Sequence, residues 1–262
     1  MCDDRSNKGA PQGLGIDGQI DYNTGRLMSI LRSSTRFVLG FVLAVGVAWG
    51  SPQEEPFREW SLDDAVRVLN SSAWARQETF TRVVSGVGSG VSGEKEIYNT
   101  FYIRFLSARP IREAYARVQQ IQHGYDEWSS EERQILDGLT SAGVELDVDD
   151  WIVLTVSFRS NDPNEESLVR QFFQSQTSQT LQNKAFLSTG QYSQVRLAAY
   201  FPPSEEGVGA KFIFPRRIDG APVVSEENSQ IVFELLEVPG ASPQLRSSFV
   251  VRDMVLDGEL LM

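Results

Sequence analysis

The chain has 262 residues, with 35 acidic side chains against 24 basic ones, a net charge of −11, one histidine and one cysteine. That acidity repels nucleic acid and anionic headgroups at long range, which sets aside a DNA- or RNA-binding role. The single cysteine, Cys2, excludes an intrachain disulfide, and no thiol remains beyond it for a thiolate metal site or a cysteine nucleophile.

In chain order, the first predicted element is a leader. Arg32 and Arg36 precede an uncharged apolar run, Phe37 to Ala48, and Ala48-Trp49-Gly50 before Ser51 places small residues at the −3 and −1 positions of a signal-peptidase site. Twelve apolar residues span about 18 Å as a helix, well short of the roughly 30 Å hydrocarbon core, so the run reads as a signal segment rather than a membrane span. Met28 stands just upstream of the arginines. The expected division is therefore a mis-called start extension over 1–27 and a signal peptide over 28–50, cleaved between Gly50 and Ser51. The first 50 residues hold five bases (Arg5, Lys8, Arg26, Arg32, Arg36) and four acids (Asp3, Asp4, Asp17, Asp21), so the remainder is slightly more acidic than the whole.

After an extended lead-in with Pro52 and Pro56, Ser61 and Asp64 form a capping box that opens a helix over about 62–70. Trp74 to Val84 alternates as a strand. The glycine-serine stretch Ser85 to Gly93 follows, and then a second strand with Ile97, Phe101, Ile103 and Phe105 on one face and Tyr98, Thr100, Tyr102 and Arg104 on the other, which predicts a hairpin. Pro110 sits in the first turn of a helix whose stripe is Ile111, Ala114, Tyr115, Val118, Ile121 and Tyr125. Ser129 and Glu132 cap another helix. Trp151 to Arg159 alternates as a strong strand, and Asp162-Pro163 opens a helix bearing Leu168, Val169, Phe172 and Phe173.

Beyond about residue 190 the pattern turns to strands: Val195 to Phe201, Lys211 to Phe214, Gln230 to Leu236 and Ser248 to Leu261. Asp219-Gly220 and Asp257-Gly258 supply the positive φ of type I′ hairpin turns. The fold class predicted is α+β: a mixed helix and strand region over 51–190, followed by an antiparallel β-sandwich-like region over 191–262.

The chemical motifs are sparse. Gly88 to Gly93 matches G-x-G-x-x-G, but a strand follows it where a dinucleotide site needs a helix, so it reads as a hairpin tip. His123 falls on the far side of its helix from the apolar stripe and reads as a surface residue, which argues against zinc or serine-hydrolase chemistry. The acidic run Glu145 to Asp150 lacks the glycine of an EF-hand loop and reads as a solvated turn. No nucleophile elbow, cofactor motif or metal-ligand spacing occurs, so no catalytic, cofactor or metal residue is nominated. Arg104, Arg109 and Arg112, with Arg117 nearby, gather at a strand-to-helix junction and form the candidate ligand-binding group, suited to a carboxylate or phosphate. Trp60, Trp74 and Trp128 read either as sugar-stacking aromatics or as core anchors.

The segments Trp74-Ala75-Arg76-Gln77, Arg104 to Ala114, Ala185-Phe186-Leu187-Ser188-Thr189 and Asp253 to Gly258 resemble an exported bacterial family of acidobacterial type that has no assigned function. The resemblance implies a bacterial envelope setting, periplasmic or extracellular, and transfers no catalytic residues. The expected function is a non-enzymatic binding or interaction module whose partner is an envelope protein or a small ligand. Membrane contact would come only through the signal segment if it stays uncleaved. The alternative is a carboxylate-based hydrolase acting on polysaccharide, recognisable by two acids about 5 to 10 Å apart beside exposed aromatics.

Overall fold

The computed structural model describes residues 56–85, 94–145, 148–204 and 208–262. Gly50, Ser51 and the rest of the leader lie outside the described residues, as do the glycine motif at 86–93 and Leu146-Asp147.

The first half is built from locally encoded pieces. Helix α1 (Leu62–Ser71) starts as its capping box dictates: Ser61 Oγ accepts from Asp64 N, and Asp64 accepts from Ser61 N, both over 3.2 Å. Strands β1 (Ala75–Ser85) and β2 (Glu94–Phe105) form one long antiparallel hairpin, in register from Ala75 opposite Arg104 to Ser85 opposite Glu94. Helix α2 (Arg109–Gln122) carries Pro110 in its first turn, where the missing N–H costs nothing. His123 caps its C-terminus and is exposed. Helix α3 (Ser130–Val144) begins at the Ser129–Glu132 capping box. Strand β3 (Trp151–Ser160) leads into α4 (Pro163–Ser175), whose N-cap Asp162 accepts from Asn164 N at 2.9 Å.

A short helix α5 (Ser178–Leu181) precedes the strand-rich portion. There follow β4 (Ala185–Ser188), β5 (Val195–Arg196), β6 (Ala199–Phe201), β7 (Ala210–Pro215), β8 (Arg217–Ile218), β9 (Ala221–Pro222), β10 (Gln230–Leu236), β11 (Gln244–Val250), β12 (Val255–Leu256) and β13 (Glu259–Leu260). Both Asp-Gly pairs turn as expected: Asp219 and Gly220 have φ of 50° and 81°, and Asp257 and Gly258 have 53° and 79°. The strand pattern expected over 248–261, turned at Asp257-Gly258, is broken once more before that turn. Strand β11 starts earlier, a 3₁₀ turn over Val251–Met254 interrupts it, and β12 and β13 make a separate two-residue hairpin. The interruption puts Val251 and Met254 into the core together, which alternation along one strand would not do.

The fold is α+β with antiparallel sheets. The larger sheet has the order β1-β2-β3-β7-β6 and the smaller the order β11-β10-β4-β5. Each takes strands from both sides of residue 190, so the change in sequence character there does not coincide with a change of sheet. Between the sheets lies one apolar core, tied by edge-to-face contacts of Phe105 with Phe249 (4.8 Å) and of Phe233 with Phe212 (5.4 Å) and Phe214 (6.4 Å). Trp60 and Trp74 are core anchors, 2% and 1% exposed, and the Trp74 indole donates to Leu261 O at 2.5 Å.

The ladder parity decides what lies on the other face of the larger sheet. Phe101, Ile103 and Phe105 pair with Phe158, Val156 and Leu154 on the core side. Tyr102 and Arg104 pair with Ser157 and Thr155 on the opposite side, where α1 and α2 pack.

Candidate functional site

At one end of that outer face the sheet is left open by α1 and α2 and bordered by α4. A cavity of about 500 Å³ lies there. Its walls come from α1, β2, α2, β3, α4 and the segment entering β7, elements brought together only by the tertiary fold.

Arg104 stands on the cavity wall and is only 8% exposed. Its guanidinium makes four hydrogen bonds, all to neutral groups: Nε to Leu69 O (2.6 Å), Nη1 to Ser157 Oγ (2.9 Å) and to Tyr115 Oη (3.2 Å), and Nη2 to Asn70 Oδ1 (2.9 Å). The Tyr102 ring lies 5.0 Å from the guanidinium carbon. Among the described residues Arg104 has no carboxylate partner. A buried cation held this way is fixed in place but not neutralised.

Counting donors shows what the arrangement lacks. A guanidinium carries five N–H groups, and one on Nη2 is left over after the bonds above. Ser157 and Tyr115 both accept from Arg104, so each retains a hydroxyl hydrogen, and among the described residues neither has an acceptor for it. One N–H and two O–H groups beside a positive charge are thus left without an acceptor among the described residues. An oxyanion supplies acceptors and balancing charge together.

Among the described residues two further guanidiniums line the cavity, those of Arg159 on β3 and Arg170 on α4, together with the carboxylate of Glu166. Glu166 and Arg170 have the i, i+4 spacing of a helical ion pair, yet Glu166 Oε1 accepts instead from Ser160 N at 3.1 Å. Among the described residues neither Arg159 nor Arg170 has an ion pair. The rest of the wall is apolar, with Val66, Leu69, Val169, Phe173 and Val208.

The three arginines expected to act together are separated. Arg104 faces the cavity. Arg109 is exposed and pairs with Glu113 over 2.8 Å along α2. Arg112 staples backbone carbonyls, with Nε to Val144 O at 2.8 Å and Nη1 to Leu106 O at 3.3 Å and to Ser107 O. Burial pushes its pKa down from the usual value. Neither Arg109 nor Arg112 lines this cavity. Arg117, 5% exposed in its side chain, makes a two-pronged pair with Asp126 at 2.9 Å and donates from Nε to Trp60 O at 2.6 Å, which is a packing role.

Sequence reasoning passed over Asn70, Tyr115, Ser157, Arg159 and Arg170. Ser157 and Arg159 share one face of an alternating strand, away from the arginine cluster at the strand-to-helix junction that nominates Arg104. Tyr115 was assigned to an apolar helix stripe, and its ring does pack in the core while its hydroxyl reaches Arg104.

A second cavity of about 580 Å³ opens beside β1 and the turn leading into β11. There Glu165 accepts from Arg82 and from Asn99 Nδ2 (3.1 Å), while the buried Asn99 Oδ1 has no hydrogen-bond partner among the described residues. Among the described residues the first cavity is lined by the carboxylate of Glu166 and the second by that of Glu165. Among the described residues no three His, Cys, Asp or Glu side chains gather as metal ligands would, and no helix is long and apolar enough to cross a membrane. Comparison with known proteins yields no match to a family model, to a curated protein or to a solved structure.

Proposed function

We propose that the protein is an exported, non-enzymatic binding module of a bacterial envelope, and that it captures a small anionic ligand at Arg104. The observation that carries this reading is the guanidinium of Arg104, buried in the wall of a cavity with neutral partners alone and three unused donors around it. Arg159 and Arg170 add positive charge at the same cavity in an otherwise acidic chain, which focuses anions toward it. The cavity volume lies in the range of small-molecule sites. Support for export is the Arg32 to Ser51 pattern, a positive region, an apolar run and a small-residue cleavage site. Binding is preferred to glycoside hydrolysis because the Arg104 guanidinium and the hydroxyls beside it offer an anion donors, while among the described residues neither cavity brings together the facing carboxylate pair that such hydrolysis needs.

The test is isothermal titration of the full chain with sodium phosphate, acetate, succinate and benzoate at low ionic strength, beside Ser157→Ala. Saturable binding of at least one anion is expected, weakened about tenfold by Ser157→Ala, the loss of about 1.4 kcal/mol that one charge-assisted hydrogen bond supplies. Added salt should weaken it further. Absence of binding across the panel, or equal affinity in the variant, overturns the reading.

A further inference from the structure

We propose that this cavity takes a ligand with an anionic group at each end of an apolar body, of the α,ω-dicarboxylate kind, rather than a single anion. The inference rests on the anion-binding reading above and specifies its ligand class.

The β2–β3 ladder sets the geometry. On the outer face the successive pairs are Arg104 with Thr155, Tyr102 with Ser157, and Thr100 with Arg159. Arg104 and Arg159 therefore share one face, separated along the strands by four residues, or about 13 Å at the backbone. The first is the buried end of the cavity. The second is exposed and, with the exposed Arg170 of α4, forms the other end. The α4 contribution to the wall includes the apolar Val169 and Phe173, which are shared with the core.

Among the described residues the cavity is lined by three guanidiniums and the Glu166 carboxylate, so a ligand with two anionic groups finds a cation at each end. The bond from Ser160 N to Glu166 keeps that carboxylate occupied at 3.1 Å, while Arg159 and Arg170 are without ion pairs among the described residues. Size agrees: about 500 Å³ is far more than an inorganic anion fills, and the apolar walls offer such an ion nothing.

The experiment compares two series by isothermal titration on the full chain: succinate, adipate and suberate against butyrate, hexanoate and octanoate. It is repeated on the double variant Arg159→Ala, Arg170→Ala, with thermal melts to show that these exposed substitutions leave the fold intact. The expected result is that the best dicarboxylate binds at least tenfold tighter than the monocarboxylate of equal length. The double variant should bring the dicarboxylate down to the affinity of the equal-length monocarboxylate, costing the dicarboxylate at least tenfold more than the monocarboxylate. If monocarboxylates bind the wild-type chain as tightly as dicarboxylates, or the double variant keeps the preference, the dianion proposal is overturned and the anion site stands. If neither series binds, both fall.

Discussion

Arg104 and Tyr115 meet where β2 passes under α2: Nη1 donates to the phenol oxygen over 3.2 Å, and the phenol keeps its own hydrogen. The tyrosine is at once an acceptor for a buried cation and a donor toward whatever that cation holds. Tyr115→Phe removes both roles while retaining the ring. Anion affinity should fall about tenfold and stability by about 1 kcal/mol, since one of the two N–H groups on Nη1 is left unmatched. Titration calorimetry on the folded variant, with a parallel melt, reads both.

A second prediction concerns acid. Arg117 is nearly buried, and its hydrogen bonds hold the Asp126 carboxyl below the usual carboxylate range, chiefly against the cost of partial desolvation. Below the ordinary value near ~4, the unfolded chain therefore takes up this proton before the folded chain does. The stability contributed by Asp126 is complete above that value and drains as pH falls toward the lowered, folded-state one. Asp126→Asn should cost about 1–3 kcal/mol at neutral pH, less than a fully buried pair because the carboxylate is half in solvent. Its melting temperature should also fall less steeply than the wild type between pH 5 and 3. Equal slopes in the two proteins would count against the pair.

Thr155 provides a prediction of opposite sign. It sits opposite Arg104 in the ladder, fully buried, and its hydroxyl has no hydrogen-bond partner among the described residues. An unmatched buried hydroxyl is a net cost, and valine keeps the β-branched shape that a strand favours. Thr155→Val should raise stability by about 1 kcal/mol, seen as a higher denaturation midpoint at an unchanged slope. A loss of stability would mean that the hydroxyl is used.

The parts of this fold legible in the sequence are those whose causes are local. Ser61–Asp64, Ser129–Glu132 and Asp162-Pro163 open helices because capping needs only neighbours within a turn, and the two Asp-Gly pairs set their own turns. Strand β4 was not anticipated: Ala185 to Leu187 is a short run buried throughout, with no alternation to mark it. The break at Val251–Met254 is likewise a tertiary choice, made to bury two side chains that a straight strand would separate. For the site, Arg104 is legible as one of the arginines gathered at a strand-to-helix junction, although the structure separates it from the others. Its partners Asn70, Tyr115 and Ser157 are not, because they lie 34, 11 and 53 positions away and meet only once the sheet is assembled.

The order of strands in the two sheets governs when this chain can fold. Strand β3 is central, yet one of its neighbours, β7, is made some fifty residues after it, and β4 waits for β10. Until the last quarter of the chain exists, β3 presents a bare edge rich in Ile152, Leu154 and Val156, and half the core has no lid. Folding is thus a late, non-local and comparatively slow event. A chain cut short near residue 200 would leave a sticky intermediate in place of a smaller working protein.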